Sequence, residues 1–134
     1  MNQIALVGVL ILIFGLIYLM FYFTRILISL IQANRYGLRV NLKQAKVLWR
    51  DSCLKKEFLL GVKEIWDVYP IPIENLTMHY LAGGNLNNIK NGLVEFSLRN
   101  REPNVWFLTT FDLAKRNLPD EIDKAEKNDW KFEL

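Results

Sequence analysis

The sequence has 134 residues, enough for one small domain and not two. Apolar residues are 51% overall, but 24 of them crowd into the first 32 positions. That pattern argues against a wholly soluble protein, a disordered chain and a multi-span transporter. The formal net charge of +3 conceals a reversal. Eight basic residues and one acid lie between residues 25 and 56, followed by nine basic and thirteen acidic residues to the end. The basic stretch adjoins an apolar segment rather than marking a folded nucleic-acid reader, so no nucleic-acid partner is expected.

Residues 4–23 carry no charge and no proline. At about 1.5 Å per helical residue they span roughly the 30 Å of a hydrocarbon core. No basic residue precedes them and no small-residue cleavage site follows, so residues 1–32 read as an uncleaved signal anchor. The charge asymmetry predicts an N-terminus outside and everything after the helix in the cytoplasm of a cell (inner) membrane. Gly8 and Gly15 share a helix face.

Residues 33–51 read as a basic juxtamembrane segment. Gly37 should break the first helix, and Asn41 with Gln44 forms a capping-box pattern for a second. Leu42, Ala45, Leu48 and Trp49 fall on one face of that short helix, and Lys43, Lys46 and Arg50 on another. Arg35, Arg39, Lys43, Lys46, Trp49 and Arg50 are therefore expected to lie on an anionic leaflet, with membrane lipids as partners. A solvated charged face beside a domain is the competing reading.

Residues 52–127 read as a helical cytoplasmic domain. Ser52 is expected to cap a helix to about residue 67, with Leu54, Phe58, Val62, Ile65, Trp66 and Tyr69 as its stripe. Pro72 suits the first turn of the next helix, which carries Ile73, Leu76, Tyr80 and Leu81. Gly83-Gly84 should end it in a positive-φ turn, and Asn85 should cap a helix over 86–99 with Ile89, Leu93 and Phe96 inward. Gly61 and Gly92 suggest close helix approach. Asn104 is placed to cap a helix through 117, with Val105, Leu108, Phe111 and Ala114 on one face. Residues 105–111 also fit a strand, being β-branched and aromatic. A charged helix starts at Leu118-Pro119, and residues 128–134 form a fraying tail in which Trp130 and Phe132 could dock. The fold class expected is all-α: one transmembrane helix and a small helical domain.

The stretch His79-Tyr80-Leu81-Ala82-Gly83-Gly84-Asn85 resembles a string found in bacterial flotillin-like proteins. Phe111-Asp112-Leu113-Ala114-Lys115-Arg116 is similar to that family's Ile-Asp-Leu-Ala-Gly-Arg, and Pro72-Ile73-Glu74 to its capped Ser-Ile-Asp start. Order and spacing agree from the apolar segment to about residue 122. The sequence departs from the family at Cys53-Leu54, where a proline pair is usual, and at Trp106, Phe107, Thr109 and Thr110, where alanines are usual. It ends before the stomatin/prohibitin-like domain and helical tail that follow in the family. The resemblance implies a membrane-anchored scaffold or adaptor that organises membrane patches, with other membrane proteins or further copies of itself as partners. An accessory subunit of a larger membrane complex is the alternative.

Little in the sequence asks for catalysis, a cofactor, a metal or a small-molecule substrate. There is one cysteine, Cys53, and one histidine, His79, so neither a disulfide framework nor a multi-ligand zinc site can be built from them. No Walker or Rossmann glycine pattern occurs. His79, one turn before the glycines, is expected to act as a cation at its helix C-terminus, with no acid spaced to serve it. Cys53 reads as a buried thiol or, less readily, a palmitoylation site. Replacing His79 and Cys53 together by Ala is expected to leave function intact. Trp106 and Phe107 are the expected partner face.

Overall fold

The computed structural model describes residues 3–130. Among them every regular element is a helix, and there are seven. α1 (Gln3–Arg35) is long and apolar enough to cross a membrane. It has two regimes. From residue 3 to residue 21 every side chain is exposed. Further on, Ile26, Ser29 and Ala33 are buried, on one face at helical spacing. What covers them is α2 (Leu42–Arg50). Ser29 avoids an unpaired hydroxyl by donating to the Arg25 carbonyl at 2.9 Å.

α1 ends as the sequence predicts. Gly37 adopts φ 79°, and the Leu38 N–H reaches back to the Ala33 carbonyl at 3.0 Å. Asn41 then caps α2 with the full reciprocal box: its side chain accepts from the Gln44 N–H and the Gln44 side chain accepts from its N–H, both at 2.9 Å. The chain has reversed, so the far end of α2 returns to the middle of α1. There Trp49 meets Tyr22 edge-on, with ring centroids 5.5 Å apart.

Ser52 does not cap the next helix. It sits at φ 53° and closes α2 instead, with the Cys53 N–H donating to the Leu48 carbonyl at 3.0 Å. α3 (Lys56–Trp66) begins four residues later without a side-chain cap, which leaves Leu54 outside the helix as a half-buried flank of the core. Trp66 donates its indole N–H to the Ile71 carbonyl at 2.8 Å and so fixes the connection to α4 (Ile73–Leu81). Pro72 occupies the cap position of α4 rather than its first turn.

α5 (Leu86–Leu98), α6 (Val105–Leu113) and α7 (Leu118–Lys127) complete the head. Asn85, Asn104 and Asn117 each cap the helix that follows with a side-chain oxygen. Residues 105–113 are helical, which closes the strand alternative; with Asn104 holding the Phe107 N–H at 3.1 Å, the first turn is satisfied locally. α5 is the central rod, packed on α3, α6 and α7. Gly92 makes that possible: a Cβ there would meet Leu108 at 2.5 Å and Leu118 at 3.1 Å.

One buried cluster runs through the molecule. It starts with Ala33, Leu38 and Leu48, passes Phe58, Val62 and Ile65, and ends with Leu93, Phe107 and Ile122. The basic segment 33–51 is therefore built into the core rather than set apart from the domain. Arg99 pins α5 to α7, bonding Glu95, Asp123 (2.7 Å) and Glu126 (2.8 Å). These acceptors raise its pKa above the ordinary guanidinium value. Trp130 does dock, its ring 5.5 Å from Phe96 and with the Arg101 guanidinium 4.5 Å above it. Phe132 lies outside the described residues.

Candidate functional site

Two places gather the residues that sequence reasoning singled out. The first is the turn between α4 and α5. Gly83 has φ 87°, which a residue with a side chain adopts at a cost, whereas Gly84 has no such φ. Gly84 is required for a different reason: a Cβ there would collide with the His79 imidazole. The Gly84 N–H closes the helix end on the His79 carbonyl at 2.9 Å.

His79 is not a solvated cation at a helix end. Its side chain is 2% exposed, and Nε2 lies 2.7 Å from Oδ2 of Asp112, itself 3% exposed. The partner comes from α6, thirty-three residues away. Asp112 also accepts the Asn85 N–H (2.6 Å) and the Asn88 side-chain amide (2.6 Å). Asn88 in turn donates to the Arg116 carbonyl (2.9 Å) and accepts the Leu118 N–H (3.2 Å). The second of these fixes which end of the Asn88 amide is nitrogen, and the network assigns the His79 proton to Nε2. Lys115 adds a bond from Nζ to the Gly83 carbonyl at 2.6 Å. The result is a polar knot that ties α4, α5, α6 and the start of α7 together.

The expectation that no acid serves His79 is therefore corrected. Removing the imidazole would leave a buried carboxylate short of a donor. Tyr80, of the same motif, takes no part in the knot; its ring packs at a tilt against Phe58, with centroids 5.0 Å apart. His79 Nδ1 is buried without a partner. His79 also helps to line a groove of about 480 Å³, together with Met78, Ala82, Val105, Trp106 and Leu113. Trp106 is 58% exposed and Met78 65%, whereas Phe107 is in the core against Phe96 and Phe111. The expected partner face thus loses Phe107. Neighbouring residues are about 100° apart around a helix, so one can face the core while the next faces solvent, and the sequence alone does not say which.

The second place is the open end of the α1–α2 hairpin. Lys46 Nζ lies 5.8 Å from the Tyr22 ring centroid, beside Trp49. Arg50 is held by Asp51 through Nε at 2.7 Å, which keeps the Asp51 carboxyl below its usual range. Arg35 and Arg39 stand at the other end of the hairpin, about 20 Å along the α1 axis from Tyr22. The six residues expected to form one membrane surface are therefore split between the two ends. Cys53 is fully buried, its Sγ 3.3 Å from the Asp51 carbonyl, and burial pushes its thiol pKa up. A palmitoyl group has no access to it.

Among the described residues no three His, Cys, Asp or Glu side chains converge to hold a metal ion. No protein-family model, no curated protein and no solved structure matches the chain.

Proposed function

We propose that this protein is a non-enzymatic, flotillin-like membrane scaffold: α1 anchors it in the cell (inner) membrane, and the helical head stands on the cytoplasmic side and binds neighbours. The observation that carries the reading is that the two segments on which the resemblance rests meet in space. His79, Gly84 and Asn85 of the first are joined through Asp112 of the second. The knot serves to hold a shape. All of the Asp112 contacts named above are to helix-end and turn groups of the same chain, and Cys53 belongs to a different part of the core.

A scaffold needs a face for its neighbours, and the groove over α4 and α6 supplies one. Its apolar rim of Met78, Trp106 and Leu113 is open to solvent. Anchoring confines copies of the head to one level above the membrane and raises their effective concentration. The occupant of the groove is a second copy of this chain. Size-exclusion with light scattering on the detergent-extracted protein tests this. Assembly of the wild type that is lost in Trp106→Ala, with helical content unchanged, is expected. A wild type that stays a single chain at all concentrations overturns the scaffold and favours an accessory subunit that docks a different protein. Activity of a C-terminal alkaline-phosphatase fusion would overturn the orientation.

A further inference from the structure

The returning end of α2 closes a cleft on α1 where the uncharged run stops. Tyr18, Phe21, Tyr22 and Arg25 of α1 and Trp49 of α2 line about 260 Å³. On α1 these positions follow i, i+3, i+4, i+7 and so form one stripe. The stripe is graded along its axis: Tyr18 lies about 10 Å from Arg25 toward the apolar end. Arg25 is the first charge after residues 4–23, a run long enough to fill the hydrocarbon layer. Lys46 of α2 does not line the cleft itself but stands over its Tyr22 ring, with Nζ 5.8 Å from the centroid.

The charges here are uncompensated. Among the described residues neither Arg25 nor Lys46 forms an ion pair, whereas nearby Arg50 is paired with Asp51 and Lys63 with Asp67. A cleft that is aromatic at its deep end and cationic at its shallow end has the polarity of a lipid. Tyr and Trp rings favour the interface, and a guanidinium fork matches phosphate oxygens.

We infer that this cleft binds the phosphodiester of an anionic glycerophospholipid, taken by Arg25 and Lys46, with an acyl chain lying along Tyr18 and Phe21. The inference rests on α1 crossing the membrane and names the lipid class that the anchor selects. A free phosphate ion shares the charge but leaves the aromatic stripe unused.

The test uses the full chain in detergent, titrated with phosphatidylglycerol, phosphatidylcholine or inorganic phosphate and read by native mass spectrometry. Retention of phosphatidylglycerol over phosphatidylcholine is expected. Arg25→Gln and Lys46→Gln should each weaken it about fivefold, the effect of one basic residue at an anionic surface. Arg39→Gln, the same charge change at the far end of the hairpin, should leave it unchanged. An equal loss in Arg39→Gln would mean diffuse attraction and overturn the cleft. Displacement of the lipid by millimolar inorganic phosphate would make it a free-anion site and overturn the lipid. Release of the wild type from membranes by alkaline washing would sink the anchor itself. Firm anchoring with equal retention by wild type and Arg25→Gln would sink only the cleft.

Discussion

The first half of α1 and the knot at His79 are opposites. One puts apolar side chains where nothing of the protein covers them; the other puts polar side chains where water does not reach. Each would be costly in the other's surroundings. An unbroken stretch of exposed apolar side chains suits a medium as apolar as itself, while a buried carboxylate is tolerable only if donors surround it. The difference teaches that burial inside the molecule is a poor guide to what stabilises each part. Nothing of the protein covers the shaft, whereas the head is held by internal hydrogen bonds.

Breaking the knot should have the largest effect. Asp112→Ala leaves His79 Nε2 and the Asn85 N–H without their acceptor and takes from the Asn88 amide one of its two. Unfolding of the head, followed by circular dichroism, should show a loss of about 3–5 kcal/mol. Unchanged stability in Asp112→Ala would mean that the knot holds nothing. The converse experiment puts polarity into the shaft. Leu12→Arg, 68% exposed in the wild type, should weaken membrane insertion by about 2.5–3.5 kcal/mol. Because Leu12 touches no part of the head, unfolding of the head should not change. Coupled loss of both would erase the distinction between the two regions.

The glycines sharpen the picture of the turn. Gly84→Ala drives a methyl into the His79 ring and should cost about 1–3 kcal/mol. Gly83→Ala meets no atom but holds φ 87°, and should cost about 1 kcal/mol. Thermal unfolding of the two single variants checks the order; a larger loss in Gly83→Ala would mean that strain, not the imidazole contact, dominates. The smallest effect concerns acid. Asp51, beside Arg50, and Glu121, bonded by Lys124 and Arg116, both have pKa values below the carboxylate norm. A depressed folded pKa stabilises above the unfolded value and is lost as pH falls through the folded one. Stability should therefore decline below about pH 4. Arg50→Gln should flatten the Asp51 part of that decline, and an identical acid profile in the variant would remove Arg50 as its cause. The cationic partners Arg50, Arg116 and Lys124 are all exposed to solvent, so the effect is modest.

Much of the fold was legible because it is local. Gly37 with its positive φ, the Asn41–Gln44 box and the Asn85 and Asn104 caps are each settled within four residues of chain. The same holds for the apolar run of residues 4–23. Ser52 was misread because a small polar residue between two helices can end one or start the other. Its φ of 53°, which decides the matter, follows from where Leu48 and Cys53 must sit in the core.

By itself, then, the sequence determined an all-helical chain with one segment apolar enough for a membrane, and where most of the helices begin and end. Helical periodicity and capping depend only on near neighbours, so they survive in one dimension. Only the tertiary structure decided that α2 folds back on Tyr22 instead of standing apart, that Phe107 faces inward and Trp106 outward, and that His79 has a carboxylate. Those depend on contacts between residues as much as thirty-three positions apart. Helix spacing says which residues share a face, but it does not say which face another helix will cover.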